Sequence, residues 1–411
     1  MRIFILKLQH KLRKIIKNII MKISLIQPGR NNLKYLKWSY DSIRSNQGNH
    51  EVEICVADDA SSDGTWDWCL EMMDKDPLFK AHCNEGPDRL GHTILYDTLI
   101  NDVATNDIAM IYHADMYLCP GALDAIEREI KEKTIVSLTR IEPPLHPDGP
   151  EKVLLNCGVE PEEFKEQVVL DWVEKNSLVD KITEGIFAPW AFYRKDFQEI
   201  GGHDPLYAPQ SKEDSDIFNR FQLNGVKFKQ VWDGFVYHMT CRGSRRNTND
   251  KAVNIHTDSP EWLAQNQRST RNFIRKWGHF VKHDTLMKPI VPNKYNVGIW
   301  IHNCNFNLLS ALEPWGDYIN VLEMDDKEVD RYINKEQPNT VIPIGPKINT
   351  FKKVDVFVKV DGETFNNNDY ENIQHLSEIL DDSGAIGTFE LGNLFINIRE
   401  LRTYTKNLIK L

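Results

Sequence analysis

The amino-acid sequence predicts an α/β fold, with a mostly parallel sheet flanked by helices and a second, small α/β domain at the C-terminus. Short apolar runs alternate with longer stretches whose apolar residues recur at helical spacing, which is typical of βαβ units. The 411 residues are 41% hydrophobic and 27% charged, enough for a substantial core and, by length, for two domains. Two prolines, Pro289 and Pro292, separate this alternation from a second one. The predicted domains are residues 22–288 and 289–411, after a leader over residues 1–21.

The leader differs in kind from the rest of the chain. Its first 20 residues hold six basic side chains and no acid, interleaved with apolar residues. Such a basic, apolar stretch is typical of a helix that lies on an anionic membrane surface. However, Met21 begins a run that looks like a natural first strand, so the preceding residues are equally well interpreted as an appended leader. Peripheral membrane contact through residues 1–20 is therefore one of two open hypotheses.

The first domain contains strands and helices in alternation. The predicted strands are the short apolar runs at 23–26, 51–57, 79–83, 108–112, 135–139, 228–232 and 235–237, with order also expected at 185–193. The predicted helices lie at 33–43, 63–73, 92–103, after Pro120-Gly121, and at 213–223. Residues 142–180 are rich in Pro and acid and give few regular signals, so we expect an insertion or an irregular segment there.

The C-terminal domain has an alternation of its own. Strands are expected at 296–301, 318–322 and 354–360, helices at 308–315 and 370–380, and a strand-rich end at 385–398. The last strands faintly resemble those of a methyltransferase, but the Gly-rich cofactor loop is absent after residues 297–301. An accessory or acceptor-positioning domain is the preferred hypothesis.

Composition excludes several function classes. The formal net charge of −10 argues against a nucleic-acid partner, because such binding relies on phosphate neutralisation by Lys and Arg. The seven cysteines are scattered and include no C-x-x-C pair, which favours a reduced, cytoplasmic chain. No apolar run is long enough to span a bilayer. We therefore expect a cytoplasmic protein, soluble or peripheral at a membrane surface.

The most informative motif is the acidic turn over residues 58–65, with the sequence Asp-Asp-Ala-Ser-Ser-Asp-Gly-Thr. Clustered carboxylates repel each other unless solvent, hydrogen bonds or a cation relieve them. The turn follows a predicted strand, and ligands of open α/β sheets bind at the carboxyl ends of strands. A capped helix start in a solvated loop is the alternative, and for Asp63 by itself it is preferred. The whole motif favours a ligand site.

Residues 53–65 closely resemble the nucleotide-binding signature of family 2 glycosyltransferases, whose GT-A fold has a Rossmann-like sheet. Residues 24–31 (Ser-Leu-Ile-Gln-Pro-Gly-Arg-Asn) are similar to the family's first strand and its Pro-x-x-Asn loop. The resemblance implies a nucleotide-sugar donor. It further implies that Pro28 and Asn31 shape the base pocket, and that Asp58 and Asp59 contact the nucleoside.

A second motif, His113-Ala114-Asp115, ends a predicted strand where the family usually carries Asp-x-Asp. Carboxylate oxygen suits Mn²⁺ or Mg²⁺, so the resemblance implies that Asp115 is a metal ligand. The sequence departs from the pattern at His113, whose imidazole either ligates Mn²⁺ or hydrogen-bonds the ribose or a phosphate. His238 follows a later strand about where the family often has a histidine. It is a third candidate metal ligand, with a purely structural histidine as the alternative.

A third pair of segments, Gly-Gly-His-Asp at 201–204 and Glu-Asp-Ser-Asp at 213–216, resembles the family's Gly-Gly-Phe-Asp and Glu-Asp-x-Asp. By resemblance, Asp214 is the catalytic base that removes the acceptor's hydroxyl proton. A carboxylate enclosed by substrate acquires a pKa suited to that task. Glu213 is a candidate substrate-binding residue. Alternatively, Glu213 or Asp216 merely caps the helix.

Two further residues are substrate-binding candidates. Trp190 precedes the Gly-Gly turn, where acceptor-site residues of the family often lie, and an aromatic face can stack on a sugar ring; core packing explains it equally well. Arg242 opens a basic loop that can close over phosphates, with an ordinary solvated loop as the alternative.

Taken together, the resemblance implies a metal-dependent, inverting transfer of a sugar from a nucleotide-diphosphate donor to a hydroxyl of a glycan, lipid or protein acceptor. A sugar nucleotidyltransferase is a rival hypothesis, but such enzymes usually carry a Gly-rich basic loop after the first strand. Only Pro-Gly-Arg-Asn stands at 28–31. A second rival is a non-catalytic nucleotide- or sugar-binding module, in which His113 reflects lost chemistry.

Overall fold

A computed structural model describes residues 20–240, 258–350 and 352–411. These residues divide into two compact units, which interleave along the chain. The first unit holds residues 20–198, 227–240 and 285–288, and the second holds 199–226, 258–284 and the rest from 289 onward. The predicted domains and this division both change at residue 289. The assignment of 22–288 to one domain stays a prediction.

The first unit contains a sheet of ten strands among its described residues. In chain order these strands are β1 Lys22–Gly29, β2 Glu51–Asp59, β3 Phe79–Asn84, β4 Ile108–Ile111, β5 Met116–Leu118, β6 Thr134–Glu142, β7 Val153–Leu154, β8 Leu178–Thr183, β9 Trp190–Tyr193 and β10 Lys227–His238. Their spatial order is β3-β2-β1-β4-β9-β6-β10-β5, with β7 beside β6 and β8 beside β10.

Most of the central strands run in one direction. β1 is parallel to β2 and β4, and β2 is parallel to β3. Because β9 is antiparallel to both β4 and β6, those two strands run the same way, and β10 is parallel to β6. The carboxyl ends of β1, β2, β4, β6 and β10 therefore meet at one edge of the sheet. β1 is buried from Ile23 to Gly29, as expected when both faces of a parallel strand are covered.

Helices flank this sheet. They are α1 Leu33–Asn46, α2 Thr65–Lys75, α3 His92–Thr98, α4 Ala122–Glu129, α5 Glu166–Asn176 and α6 Arg194–Glu199, and a π-helical turn, Leu99–Val103, continues α3. The prediction of an irregular segment over 142–180 was wrong, since β7, α5 and β8 lie there. The helix α5 buries only Val169 and Val173, against a cluster that includes Phe235 and Tyr237. So narrow an apolar face gives little periodic signal.

The second unit has a sheet of its own, with the order β12-β11-β13-β15-β14. Its strands are β11 Val297–His302, β12 Tyr318–Val321, β13 Val356–Asp361, β14 Gly387–Leu391 and β15 Leu394–Ile398. Its helices are α7 Glu213–Leu223, α8 Pro260–Trp277, α9 Phe306–Leu312, α10 Asp326–Glu336, α11 Asn367–Gln374 and α12 Leu376–Ser383. The single helix expected at 370–380 is two helices that meet at His375.

The prediction omitted α8, although the sequence carries its start and stop signals. Ser259 accepts a hydrogen bond from the Trp262 amide, Pro260 occupies the first turn, and Gly278 ends the helix with φ of 78°. Its buried residues include Phe273 and Trp277, which pack with Tyr207 and Leu206.

No helix in the described part of the chain combines the length and the hydrophobicity that crossing a bilayer requires. The predicted leader lies outside the described residues except for Ile20 and Met21. Six cysteines within the described ranges have free thiols: Cys55, Cys69, Cys83, Cys119, Cys157 and Cys304.

Candidate active site

The acidic turn is braced by the loop that follows β1. Asn31 has φ of 52°, a left-handed backbone that asparagine tolerates well. Its side-chain oxygen accepts a hydrogen bond from the backbone N–H of Ser62 at 2.8 Å, and its backbone N–H donates to Ser61 Oγ at 2.9 Å. The carboxylate of Asp63 accepts hydrogen bonds from the first backbone N–H groups of two helices, Leu33 of α1 at 3.0 Å and Thr65 of α2 at 3.1 Å. Asp63 thus has the capping role that the sequence favoured for it.

The two aspartates at the end of β2 have different surroundings. Asp59 accepts hydrogen bonds from Asn84 Nδ2 at 2.8 Å and from the amides of Leu90 and Gly91, both at 2.9 Å, so it holds the loop after β3. Asp58 is equally buried, and burial raises its pKa although hydrogen bonds from Ser61 oppose the shift. No donor within the described residues reaches its Oδ1 atom. Asp58 therefore has an acceptor oxygen left for a ligand.

The predicted metal ligands meet at the carboxyl edge of the same sheet. His113 and Asp115 lie in the segment between β4 and β5, and His238 is the last residue of β10. One potential ligand atom from each side chain lies within 4.8 Å of those of the other two. His238 Nε2 is 3.4 Å from Asp115 Oδ1. The structure therefore brings together three residues that are far apart in the sequence.

The charges in this cluster are interdependent. Burial by itself would raise the pKa of Asp115, but the nearby His238 outweighs it and lowers that pKa to about 2. Burial would likewise lower the pKa of His238, yet the carboxylates of Asp115 and Glu142 raise it to about 9. Burial lowers the pKa of His113 to about 4, so its imidazole is neutral at pH 7. At pH 7 His238 is therefore an imidazolium that interacts with both carboxylates.

The donor set fits a divalent cation. Two imidazoles and one carboxylate suit Mn²⁺, and the carboxylate with added water and phosphate oxygens suits Mg²⁺. An ion must displace the His238 proton, as metal binding generally does with histidine ligands. The sequence predicts these three residues as metal ligands, and the structure shows that their side chains lie close together.

Sequence reasoning missed three residues of this edge. Glu142 ends β6, and its Oε1 lies 3.0 Å from His238 Nδ1. Arg89 lies 3.4 Å from Asp59 through its Nε atom. His92 opens α3, and its pKa falls to about 3 chiefly through burial and then through Arg89 and His113, with Asp59 and Asp115 opposing. The pKa of His92 thus responds to a carboxylate of the acidic turn and to one of the metal cluster.

The second unit holds the predicted base. Glu213, Asp214 and Asp216 lie in the first turn of α7. Asp216 is structural: it is fully buried and accepts from Arg220 Nε at 2.7 Å and Trp277 Nε1 at 2.8 Å. Burial raises the pKa of Asp214 and, with added repulsion from Asp214, that of Glu213. Raised carboxyl pKa values are typical of groups that exchange protons with substrate.

The Gly-Gly turn is tied to α7 by a buried arginine. Arg220 is fully buried, and it donates to the carbonyl oxygens of Ile200 at 3.0 Å and Gly202 at 2.5 Å. Gly201 and Gly202 have φ of 87° and 76°, a backbone that glycine adopts without strain. The motif therefore orders the start of α7 and its acids.

Three other predicted residues have distinct outcomes. Pro28 is a buried residue of β1, opposite Ala57 of β2. Trp190 has no exposed surface and packs against Phe192 with ring centroids 4.6 Å apart, which favours the core-packing alternative. Arg242 lies outside the described residues.

The comparison with protein families agrees with this geometry. Residues 24–201 match the sequence model described as glycosyl transferase family 2. The chain carries a family 2 glycosyltransferase domain. The predicted family and the predicted GT-A fold are therefore confirmed, and strands β2 to β9 of the mixed, parallel-rich sheet lie within the matched residues. The matched residues include the acidic turn and the His113-Ala114-Asp115 segment.

Solved structures with a similar fold include three proteins at low sequence identity. GalNAc-T7, solved with UDP, GalNAc and Mn²⁺, is 14% identical with a TM-score of 0.44, covering 62% of this chain and 48% of that one. The mannosyltransferase PcManGT from Pyrobaculum calidifontis, solved with GDP-Man and Mn²⁺, is 17% identical with a TM-score of 0.38, covering 55% and 59%. TarS from S. aureus is 17% identical with a TM-score of 0.39, covering 62% and 40%. The chain thus spans about half the length of these proteins. No curated protein sequence matches the chain.

Proposed function

We propose that this protein is a metal-dependent glycosyltransferase that moves a sugar from a nucleotide-diphosphate donor to an acceptor hydroxyl. One observation carries the proposal: Asp115, His113 and His238 form a cation-binding cluster within a family 2 glycosyltransferase sheet. The carboxylates of Asp59 and Asp115 both act to raise the pKa of His92. This shared influence supports a site that extends from the acidic turn to the cluster.

The donor's nucleoside is assigned to the acidic turn. Pro28 and Asn31 form one wall, and Asp58 offers its Oδ1 atom to an N–H or O–H of the nucleoside. Asp59 acts mainly by holding the loop after β3, because both of its carboxylate oxygens already accept hydrogen bonds. Arg89, on that loop, adds a positive charge near the donor's phosphates.

The diphosphate is assigned to the cluster. Asp115, His113 and His238 would hold Mn²⁺ or Mg²⁺, and the ion would neutralise charge on the departing diphosphate. In the reaction, the acceptor oxygen forms a bond to the anomeric carbon while the bond from that carbon to the diphosphate oxygen breaks. The acceptor's hydroxyl proton passes to a base, and one such displacement inverts the anomeric configuration.

Asp214 is the proposed base, and the raised pKa values of Glu213 and Asp214 support a proton-accepting role in the first turn of α7. Glu213 is assigned to acceptor binding. Arg242 keeps its substrate-binding role as a proposal, whereas the complete burial of Trp190 supports its core-packing alternative. The acceptor is a glycan, lipid or protein, and the protein acts in the cytoplasm, with residues 1–20 as a membrane contact in one hypothesis.

The test combines donor screening with matched variants. Nucleotide-sugars are incubated with Mn²⁺, and release of nucleoside diphosphate is measured with and without acceptors. We expect Asp115→Ala to lower kcat/KM by about 100-fold or more, because several kcal/mol of charge stabilisation is lost. Asp171→Asn, at an exposed position of α5, is the control and should retain activity. Asp214→Asn should lower kcat while leaving donor binding intact.

Two outcomes would contradict the proposal. Metal-independent turnover that survives Asp115→Ala would remove the assigned role of the cluster. Release of pyrophosphate from a nucleoside triphosphate, with no transfer from any nucleotide-sugar, would indicate a nucleotidyltransferase instead.

A further inference from the structure

His238 lies between two carboxylates, one at each ring nitrogen. Its Nε2 atom is 3.4 Å from Asp115 Oδ1, on the side of the cation cluster, and its Nδ1 atom is 3.0 Å from Glu142 Oε1. The two nitrogens point to different sides of the imidazole ring, so only one of them can face the ion. Whatever binds the other nitrogen decides which tautomer and which ring orientation the ion meets.

The fold fixes Glu142 next to His238. Strands β6 and β10 are parallel, and their last recorded pair is Ile141 with Tyr237. Residues 142 and 238 follow immediately on the two adjoining strands, at the carboxyl edge of the sheet. Their contact is therefore set by the pairing of two strands, which holds side chains more rigidly than a loop does.

Two basic side chains, Arg140 and Lys152, also hold Glu142 in place. Its Oε1 atom lies 3.3 Å from Arg140 Nη1, and its Oε2 atom accepts a hydrogen bond from Lys152 Nζ at 3.3 Å. The glutamate is 1% exposed, and each of its carboxylate oxygens lies beside a basic side chain. The carboxylate is thus buried and fixed by partners on both oxygens.

We propose that Glu142 is a positioning residue of the cation site: it accepts the Nδ1–H of His238 and so holds Nε2 toward Asp115 and the ion. The inference rests on the proposed function, because it requires that the cluster bind a divalent cation. Glu142 does not itself ligate the ion. It acts through the imidazole, as outer carboxylates generally do at metal-bound histidines.

The contacts of the two carboxylate oxygens allow a positioning role of Glu142 to be distinguished from a simple attraction between its charge and that of His238. Among the described residues, Oε1 faces two donors, His238 and Arg140, whereas Oε2 faces Lys152 alone. In Glu142→Gln the amide oxygen therefore takes the Oε1 position and still accepts the Nδ1–H, although the negative charge is gone. Glu142→Leu has a similar volume but no acceptor. If Glu142 positions the ring, the two variants should differ in Mn²⁺ affinity. If it acts through its charge alone, both variants should lose the same affinity.

The experiment measures binding of Mn²⁺ alone to the full chain, from the electron paramagnetic resonance signal of free Mn²⁺. Loss of an outer ligand partner typically weakens metal binding 10–100-fold, so Glu142→Leu should raise the Mn²⁺ Kd by roughly 10–100-fold. Glu142→Gln should stay within about fivefold of the wild type, since its oxygen keeps the ring in place. Glu174→Gln removes a carboxylate at an exposed position of α5 and should leave the Kd unchanged. Glu142→Ala replaces the leucine variant if the latter lacks a native circular dichroism spectrum.

A double-mutant cycle then asks whether the effect passes through His238. In a His238→Ala background, Glu142→Leu should change the Mn²⁺ Kd by less than about twofold. Equal losses in both backgrounds, or equal losses for the leucine and glutamine variants, would overturn positioning while leaving the proposed transferase standing. A wild-type chain that binds no Mn²⁺ would overturn both the positioning role and the metal-dependent part of the proposed function.

Discussion

Glu53 is a buried carboxylate of β2, and its removal tests how the strand beneath the acidic turn is stabilised. Its Oε2 atom accepts from Ser24 Oγ at 2.5 Å and from the Thr105 amide at 2.9 Å. Its Oε1 atom lies 2.5 Å from Lys80 Nζ and accepts from Thr105 Oγ1 at 2.7 Å. The perturbation is Glu53→Gln, which keeps the shape and removes the charge.

The magnitude follows from the pKa of Glu53. Burial would raise it, but hydrogen bonds from Lys80, Ser24 and Thr105 lower it from 4.5 to about 2. A pKa that is depressed in the folded state stabilises the protein above the unfolded value of 4.5 and loses that effect as pH falls toward 2. The lowering of the pKa from 4.5 to about 2 corresponds to about 3 kcal/mol at pH 7, of which roughly two fifths is already lost at pH 3.5.

The assay is urea unfolding of the wild type and Glu53→Gln between pH 7 and pH 3.5, at constant ionic strength. We expect the difference in unfolding free energy to be about 3 kcal/mol at pH 7 and to shrink to about 2 kcal/mol at pH 3.5. Glu174→Gln, at an exposed position of α5, is the control, and its difference should stay small. A Glu53→Gln difference that stays constant across this range would refute the assigned origin of the stabilisation.

Two further predictions concern other buried carboxylates. Asp59→Asn replaces an oxygen that accepts an amide N–H with a second donor, which costs about 1–3 kcal/mol and loosens the loop after β3. Calorimetry should show weaker binding of the nucleoside diphosphate that the wild type binds best in the donor screen, and unchanged binding would contradict a bracing role. Glu313 is fully buried in the second unit and ion-paired with Arg275 and Lys347, so Glu313→Ala should lower the unfolding free energy by about 3–5 kcal/mol. A urea midpoint equal to that of the wild type would show that this pairing adds no net stability.

The parts of the fold that the sequence predicted share a local signal. β1, β2 and the acidic turn form one contiguous stretch in which apolar runs stop at Pro28-Gly29 and at Asp58-Asp59. Helix α8 shows that the same kind of signal can be overlooked, because its Ser259-Pro260 start and Gly278 stop were present in the sequence. Such features depend on a few adjacent residues, so they can be recognised without knowing the tertiary structure.

The parts that the sequence did not predict depend on contacts between distant residues. Glu142 and His238 are 96 positions apart and meet only because β6 and β10 pair in one register. Nothing near Glu142 marks it as functional, and it opened the stretch that was expected to be irregular. His92 likewise acquires its surroundings from the acidic turn and from the segment after β4. Trp190 shows the converse, because a sequence cannot distinguish an aromatic residue at a sugar site from one in the core.

The departure at His113 acquires a physical meaning once its surroundings are known. An Asp-x-Asp pair would bring two negative charges to the cation, whereas His113 with Asp115 brings one. The lowered pKa of His113 leaves its imidazole neutral at pH 7, so it can offer a lone pair to a cation. A cation held by one carboxylate and two imidazoles keeps more net positive charge for a diphosphate than one held by two carboxylates. The histidine is therefore compatible with the proposed donor site, and it does not by itself favour a non-catalytic module.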